Sequence, residues 1–437
     1  MLKAFGLMRR DPLAFLAQCG QRYGRAVTFP IPRTAVLFID DAAAVRQVLQ
    51  TNHPSYGKRT IQYDSLALVT GEGLLTSDGD VWRSMRRLMQ PAFHHDTLGA
   101  VISGVEQAAD AIASEWRATP SDEVFDLDEA MMRTTLRVVG STLFGADLGD
   151  VAAQLVASVV SALDVVVSRA QLPVAPPEWL PTRGNVRLRR SLRALDAAVD
   201  QLVAERRLRP EGSDVLGLLL RAQDDGVVTA GQVRNEVVTL IVAGHETVAA
   251  TMTWTWLLLA ENPEPLAEVR REVRAVCGAD RSRPLDLAAV DSLRFTRAVV
   301  DESLRLYPPA WVISRRALDP DVLLGFEVPA GAIVIMSPYL VHRDPQLWQN
   351  PEAFDPSRFL GDRREAVARN AYLPFGAGPR LCIGRDLALL EATILTALLV
   401  GEFDVRPVDP SGVRAHAGVT IRPAGGLPAR VTTRRGH

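Results

Sequence analysis

The segment Leu373–Ala392, LPFGAGPRLCIGRDLALLEA, sets one cysteine, Cys382, among glycines and arginines, just ahead of an apolar run at helical spacing. The glycines predict a loop that turns tightly and allows close backbone approach. The run after Cys382 predicts a helix. The first amides of that helix would point at the sulfur, and its dipole would favour a thiolate over a thiol. A fold that carries this segment must present an anion at the mouth of a buried helix.

Few chemistries use a thiolate in that setting. The other cysteines, Cys19 and Cys277, are distant, and an odd total of three argues against a disulfide framework and for a reducing compartment. Zinc needs four ligands, usually in closely spaced pairs, and no second Cys or His lies near Cys382 along the chain. The stretch superficially matches a phosphate-cradling G-x-G-x-x-G at Gly376 and Gly378, but Leu381 stands where the last glycine belongs and Pro379 removes a backbone donor. A protease-type nucleophile needs a histidine partner that sequence alone does not reveal. A metal with a single protein thiolate ligand remains, which is haem iron. Arg380 can then reach a haem propionate as a charged donor.

The chain of 437 residues is 47% hydrophobic, enough for a large core, and its net charge of −2 implies no nucleic-acid partner. Apolar runs are broken by polar residues short of membrane-spanning length, and no secretory signal is evident, so a cytoplasmic protein without a membrane anchor is expected. AVTFPI and TAVLFID read as strands, and DDAAAVRQVLQ as an Asp-capped helix. Residues 80 to 310 are mostly helical in pattern, with the Pro-rich loop QLPVAPPEWLPTRGN between two helices and a strongly basic face on the second. VLLGFEVPAGAIVIMSP reads as a hairpin turning at Pro-Ala-Gly. One domain over residues 1–437 is expected, since no linker or repeat divides the chain.

FGAGPRLCIG, with Phe375, Gly378, Arg380, Cys382 and Gly384 in place, resembles the haem-binding signature of the cytochrome P450 family. Two further stretches strengthen the resemblance. AGHET, Ala243–Thr247, lies in the middle of a helical pattern from near Thr229 to Glu261, which at 1.5 Å per residue spans roughly 45 Å. It is not a zinc H-E-x-x-H motif, because Ala249 replaces the second histidine. Small Ala243 and Gly244 would leave room above a flat cofactor, with Thr247 bridging a strained, widened turn. ESLR, Glu302 to Arg305, puts an acid and a base on one helical face. With FDPSRF downstream it resembles the family's buried triad of Glu302, Arg305 and Arg358. Trp82 and Arg86 in WRSMR resemble the family's propionate-contacting helix, and Arg316 resembles a further propionate contact, with Arg315 as its rival.

The resemblance implies a mainly α fold with a small β-rich lobe, and haem b between the long central helix and the Cys382 helix. It implies a monooxygenase that inserts one oxygen atom of O2 into a lipophilic small molecule, with Glu246 and Thr247 delivering protons and Cys382 as the iron ligand. Electrons would come from a separate ferredoxin or flavodoxin, because no flavin or iron–sulfur segment is present. Pocket candidates are Arg59, Gln62, Tyr63, Val242, Trp311 and Val312. The alternatives are an isomerase, dehydratase or peroxygenase of the same fold, against which Glu246 and Thr247 speak, and a non-catalytic haem-binding protein.

Overall fold

The computed structural model describes residues 7–8, 10–29, 31, 34–94, 98–146, 149–170, 176–177, 179–209, 214–278, 283, 285–367 and 371–434. Part of the Pro-rich loop expected before Thr182, residues 171–175 and 178, lies outside the described residues.

The helices that position the site are α1 (Ile61–Thr70), α2 (Gly79–Met89), α3 (Leu98–Ala118), α4 (Leu127–Leu143), α5 (Gly149–Ala170), α6 (Arg183–Arg207), α7 (Ala230–Glu261), α8 (Pro263–Cys277), α9 (Arg294–Leu306) and α10 (Arg385–Glu402). The long helix α7 starts where the sequence supplies a reciprocal cap. The Thr229 hydroxyl accepts from the Gln232 amide at 3.2 Å, and the Gln232 side chain accepts from the Thr229 amide at 2.9 Å. From there α7 runs unbroken through the core, packed on α4, α9, α10 and α1. Among the described helices it alone is long and apolar enough to cross a membrane, and it is mostly buried inside the protein. A helix apolar all round belongs in a core.

The strands are β1 (Ala26–Phe29), β2 (Val36–Ile39), β3 (Tyr56–Gly57), β4 (Phe125–Asp126), β5 (Ile313–Ala317), β6 (Asp321–Leu323), β7 (Phe326–Val328), β8 (Ile333–Met336), β9 (Phe403–Pro407), β10 (Ala415–Ala417), β11 (Ile421–Pro423) and β12 (Pro428–Thr433). They form a five-stranded sheet, β1-β2-β8-β5-β3, and three smaller sheets, giving a mainly α protein with a β-rich lobe. One sequence expectation fails here. The hairpin is not closed by Pro-Ala-Gly: β6 and β7 turn at Leu324-Gly325, both with positive φ, and β8 leaves to pair with β2 and β5. The apolar alternation of VLLGFEV and AIVIM is compatible with either pairing, so pattern alone did not choose.

Candidate active site

The loop ahead of α10 is fixed from both ends. The Cys382 amide donates to the Phe375 carbonyl at 3.0 Å, and Arg86 of α2 donates to the Leu381 carbonyl at 2.8 Å. Gly378 has φ +70, and a Cβ there would lie 1.9 Å from the Leu49 carbonyl oxygen, so only glycine lets the loop press on that backbone. Gly384 caps α10 and its amide bonds the Cys382 sulfur. Burial pushes the thiol pKa up, while the Gly384 amide, Arg86 and Arg385 pull it down. The sulfur lies deep, yet the residue is exposed, so it fronts an internal cleft rather than packed side chains.

Beside this cleft the protein gathers cations. Lys58 is buried, donates to the Leu75 carbonyl at 2.7 Å and sits 4.8 Å from the Tyr63 ring centre. Arg315, also buried, donates to the Tyr63 hydroxyl at 3.3 Å. Arg380 stacks 3.8 Å from the Trp82 ring centre, donates to the Ser77 carbonyl at 2.9 Å and pairs with Asp78. Burial, then Arg315 and Arg380, hold the Lys58 pKa well below the ordinary lysine range. Arg380 is lowered to about 10, chiefly by burial. Asp78 thus offsets Arg380 and Lys58 while Arg315 adds positive charge against both, an arrangement that calls for further negative charge.

The order within β5 separates the two arginines that the sequence offered. Alternation along the strand turns Arg315 toward Lys58 and Tyr63, whereas Arg316 is half-buried and donates to the Arg59 carbonyl at 2.6 Å. Arg315, the rival of Arg316 in the sequence, is thus the β5 arginine that joins Lys58 and Tyr63. Lys58 was missed, because nothing in its local sequence distinguishes it from a surface lysine.

Opposite stands α7. Within its buried centre Ala243, Gly244 and Thr247 are half-buried, which marks one opened face. Thr247 donates its hydroxyl to the Ala243 carbonyl at 2.7 Å, and Thr251 repeats the pattern to Thr247 at 2.9 Å. The expected strained, widened turn is absent from this continuous helix. Gly244 also has another reason: a Cβ there would lie 2.9 Å from Val139 Cγ2, so its smallness serves the close approach of α4. Glu246 is buried and turned away from the opened face. Its Oε1 accepts from the Thr420 hydroxyl at 2.7 Å, and Oε2 has no hydrogen-bond partner. Burial raises its pKa, opposed by Thr420 and Arg422. Thr420, in the β10–β11 turn, was another residue missed by sequence.

Beneath the cysteine loop, Glu302 and Arg305 are fully buried and doubly bonded at 2.7 and 2.8 Å. Arg358 reaches Glu302 at 3.3 Å, and Arg305 also holds the carbonyls of His342, Pro351 and Ala353. His342 links this cluster to the cysteine segment: Nδ1 bonds the Arg305 carbonyl at 3.0 Å and Nε2 accepts from the Leu373 amide at 2.7 Å. Burial lowers its pKa to about 3, so the ring stays neutral and keeps that acceptor.

Of the pocket candidates, Gln62 and Val312 lie together, the Gln62 amide donating to the Val312 carbonyl at 3.4 Å. Arg59 lies in an exposed ion pair with Glu72 at 2.6 Å. Gln62 accepts from Ser314 at 2.8 Å, Tyr63 is occupied by Lys58 and Arg315, and Trp311 donates to the Gly418 carbonyl at 3.0 Å. Val242 is buried and Val312 half-buried.

A deep cysteine with one amide and two arginines around it suits a thiolate bound to a metal. Among the described residues no three His, Cys, Asp or Glu side chains group to hold a metal ion, so that metal would arrive in a carrier supplying its other ligands. The neighbouring cations suit a carrier bearing carboxylates, which is the chemistry of haem with its propionates. The family model for cytochrome P450 matches residues 1–422. The chain belongs to the cytochrome P450 family. Cyclooctatin synthase of Streptomyces melanosporofaciens is 34% identical over 95% of this chain and 90% of its own length. Cyclooctat-9-en-7-ol 5-monooxygenase of the same organism is 34% identical over 91% and 86%. Pentalenene oxygenase of Streptomyces avermitilis is 33% identical over 99% and 95%. This P450 is a monooxygenase: it uses haem iron, O2 and a redox partner to oxygenate a lipophilic small molecule.

Proposed function

We propose that this P450, a single domain acting in the cytoplasm, oxygenates a terpenoid intermediate of secondary metabolism at haem b ligated by Cys382. The observation that carries the site assignment is the pairing of a cleft-facing cysteine with the buried Lys58, Arg315 and Arg380 cluster around one carboxylate. The substrate class rests on the relatives named for cyclooctat-9-en-7-ol and pentalenene.

Lys58, Arg315 and Arg380 would hold the propionates, with Trp82 packed under Arg380 and Arg86 tying α2 to the cysteine loop. Thiolate-ligated haem, when bound, supplies reductive O2 activation and oxygen insertion. The protein's own groups do the rest. The Gly384 amide, with Arg86 and Arg385, stabilises the Cys382 anion. The Ala243–Thr247 face of α7 borders the reacting space, and Thr247 holds a hydroxyl there. Glu246, its pKa raised by burial, would carry protons from the interior to Thr247 when released from Thr420.

A ferredoxin or flavodoxin would dock at the open depression of about 770 Å³ lined by Trp82, Arg83, Arg86, Arg87, Gln90, Pro91 and His94, beside the cysteine loop. Arg83 is partly neutralised by Asp80 and Arg385 by Asp386, which leaves exposed Arg87 as the more open charge. The deciding experiment feeds terpene hydrocarbons and alcohols to the reduced enzyme under ¹⁸O2. One labelled oxygen atom in a hydroxylated terpenoid is the expected product. Turnover without label, or label only in non-terpenoid substrates, contradicts the reading.

A further inference from the structure

Helix α7 has a second polar side, turned away from the cleft, and a buried ion pair stands there without a role in the chemistry. Glu246 belongs to this side, with Oε1 bonded by Thr420 and the buried Oε2 without a hydrogen-bond partner. Thr253 follows seven residues later, on the same helical face and about 10 Å further along. Its hydroxyl donates to Asp128 Oδ1 at 3.1 Å. Asp128 is buried in the first turn of α4, where the helix dipole favours a carboxylate. Its Oδ2 accepts from Arg422 of β11, whose guanidinium also lies 2.7 Å from Met132 Sδ.

The chain thus sets one guanidinium between two acids. Thr420, which holds Glu246, and Arg422, which holds Asp128, are two residues apart. The two acids need opposite states. Asp128 pairs as an anion, whereas burial drives Glu246 toward its neutral form. Arg422 opposes that neutral form, and Asp128 and Asp164 of α5 support it. His245, next in the chain, is itself kept neutral, since burial lowers its pKa to about 4. On the other side of Arg422, its cross-strand partner in β10 is the exposed His416. The state of Glu246 therefore turns on where the Arg422 guanidinium stands.

We propose that Asp128 is a positioning residue: it holds Arg422 on α4 and so keeps it from pairing with Glu246. The inference rests on the reading of Glu246 as the proton carrier. A buried guanidinium without an anion is costly. Glu246 acts on Arg422 more strongly than Asp126 does, so Glu246 is the acid to which a released Arg422 would turn. Its Oε2 is free to accept. That pair would fix Glu246 as an anion, which has no proton to give. An Asp128 that merely tied α4 to β11 would leave the state of Glu246 unchanged when removed.

The test follows the infrared carbonyl band of protonated Glu246 in the haem-loaded enzyme, identified by its loss in E246Q. Wild type and R422Q should show the band, D128N should lack it, and D128N/R422Q should regain it. Product per NADPH should fall ~10-fold in D128N, a small part of what a general acid supplies, and return to within ~2-fold of wild type in D128N/R422Q. The double variant replaces both charges together, so it leaves no buried ion unpaired. If D128N does not fold, R422Q and the double variant still decide. A band of wild-type strength in D128N, or no band in wild type, R422Q or D128N/R422Q, overturns the proposal. Wild-type coupling in E246Q overturns the carrier reading instead, and the bands then decide the restraint on Arg422 by themselves.

Discussion

The two walls of the site treat charge in opposite ways. On the cysteine side Lys58, Arg315 and Arg380 are crowded together with Asp78 paired to Arg380, and a buried acid there, Glu302, is fully paired. On the α7 side Glu246 and His245 are buried with one unpartnered atom each, and burial drives both toward their neutral forms, His245 to about 4. The difference separates holding from moving. Surplus positive charge is useful where an anionic group must stay for the life of the protein. A carboxyl kept neutral by burial is useful where a proton must be carried and given up.

Breaking the fixed wall should have the largest effect. Glu302→Ala leaves Arg305 and Arg358 buried without their anion, and should cost ~3–5 kcal/mol in denaturant unfolding. A loss below ~1 kcal/mol would mean that the carbonyls of His342, Pro351 and Ala353 suffice for Arg305.

Next in size is the cation cluster. Arg315→Ala with Arg380→Ala should weaken haem retention at least ~10-fold, measured by transfer to apomyoglobin, each removing a charged hydrogen-bond donor. Arg316→Ala should leave retention near wild type. If Arg316 proves the more important of the two neighbours in β5, the charge-holding wall has been drawn on the wrong face of the strand.

The moving wall should respond more gently. Thr420→Val removes the hydroxyl that holds Glu246, and should lower product formed per NADPH consumed several-fold with substrate affinity unchanged. It also has a pH signature. An acid whose folded pKa lies above its unfolded value of 4.5 binds more protons when folded, so stability falls as pH rises through that interval. Thr420 and Arg422 lower the Glu246 pKa, whereas Asp128 and Asp164 raise it. Thr420→Val therefore lifts it further and should steepen the loss of stability above pH ~4.5, and Glu246→Gln should flatten it. Parallel stability curves for all three proteins would show that Glu246 is not held neutral.

The smallest effect concerns the outer face. Arg83→Glu with Arg87→Glu should slow reduction by an acidic donor at low salt and converge with wild type at high salt. Equal rates at low salt would move the docking face away from α2.

What could be read from the sequence was what depends on spacing. Cys382 with its glycines, Glu302 with Arg305, and Ala243 to Thr247 in a long apolar helix each carry their meaning within a few residues. Lys58, His342 and Thr420 do not. Their roles depend on Arg380, Leu373 and Glu246, which lie 322, 31 and 174 positions away in the chain. Arg315 and Arg316 were adjacent in sequence and opposite in space, and only the register of β5 on β8 separates them. The Pro-Ala-Gly turn misled for a similar reason: β8 pairs with strands that a local reading does not include. Gly244 was read as space for a ligand, and its missing Cβ also makes room for Val139, which no local reading could show.

The central claim is that Cys382 ligates the haem iron as a thiolate in a protein that holds the group through its cation cluster. The most direct measurement is the difference spectrum of the reduced, CO-bound enzyme for wild type and Cys382→Ser. The account predicts a thiolate-type red-shifted Soret band in wild type, and its loss in Cys382→Ser while Arg315 and Arg380 still retain part of the haem. A Cys382→Ser enzyme that keeps the red-shifted band would contradict it.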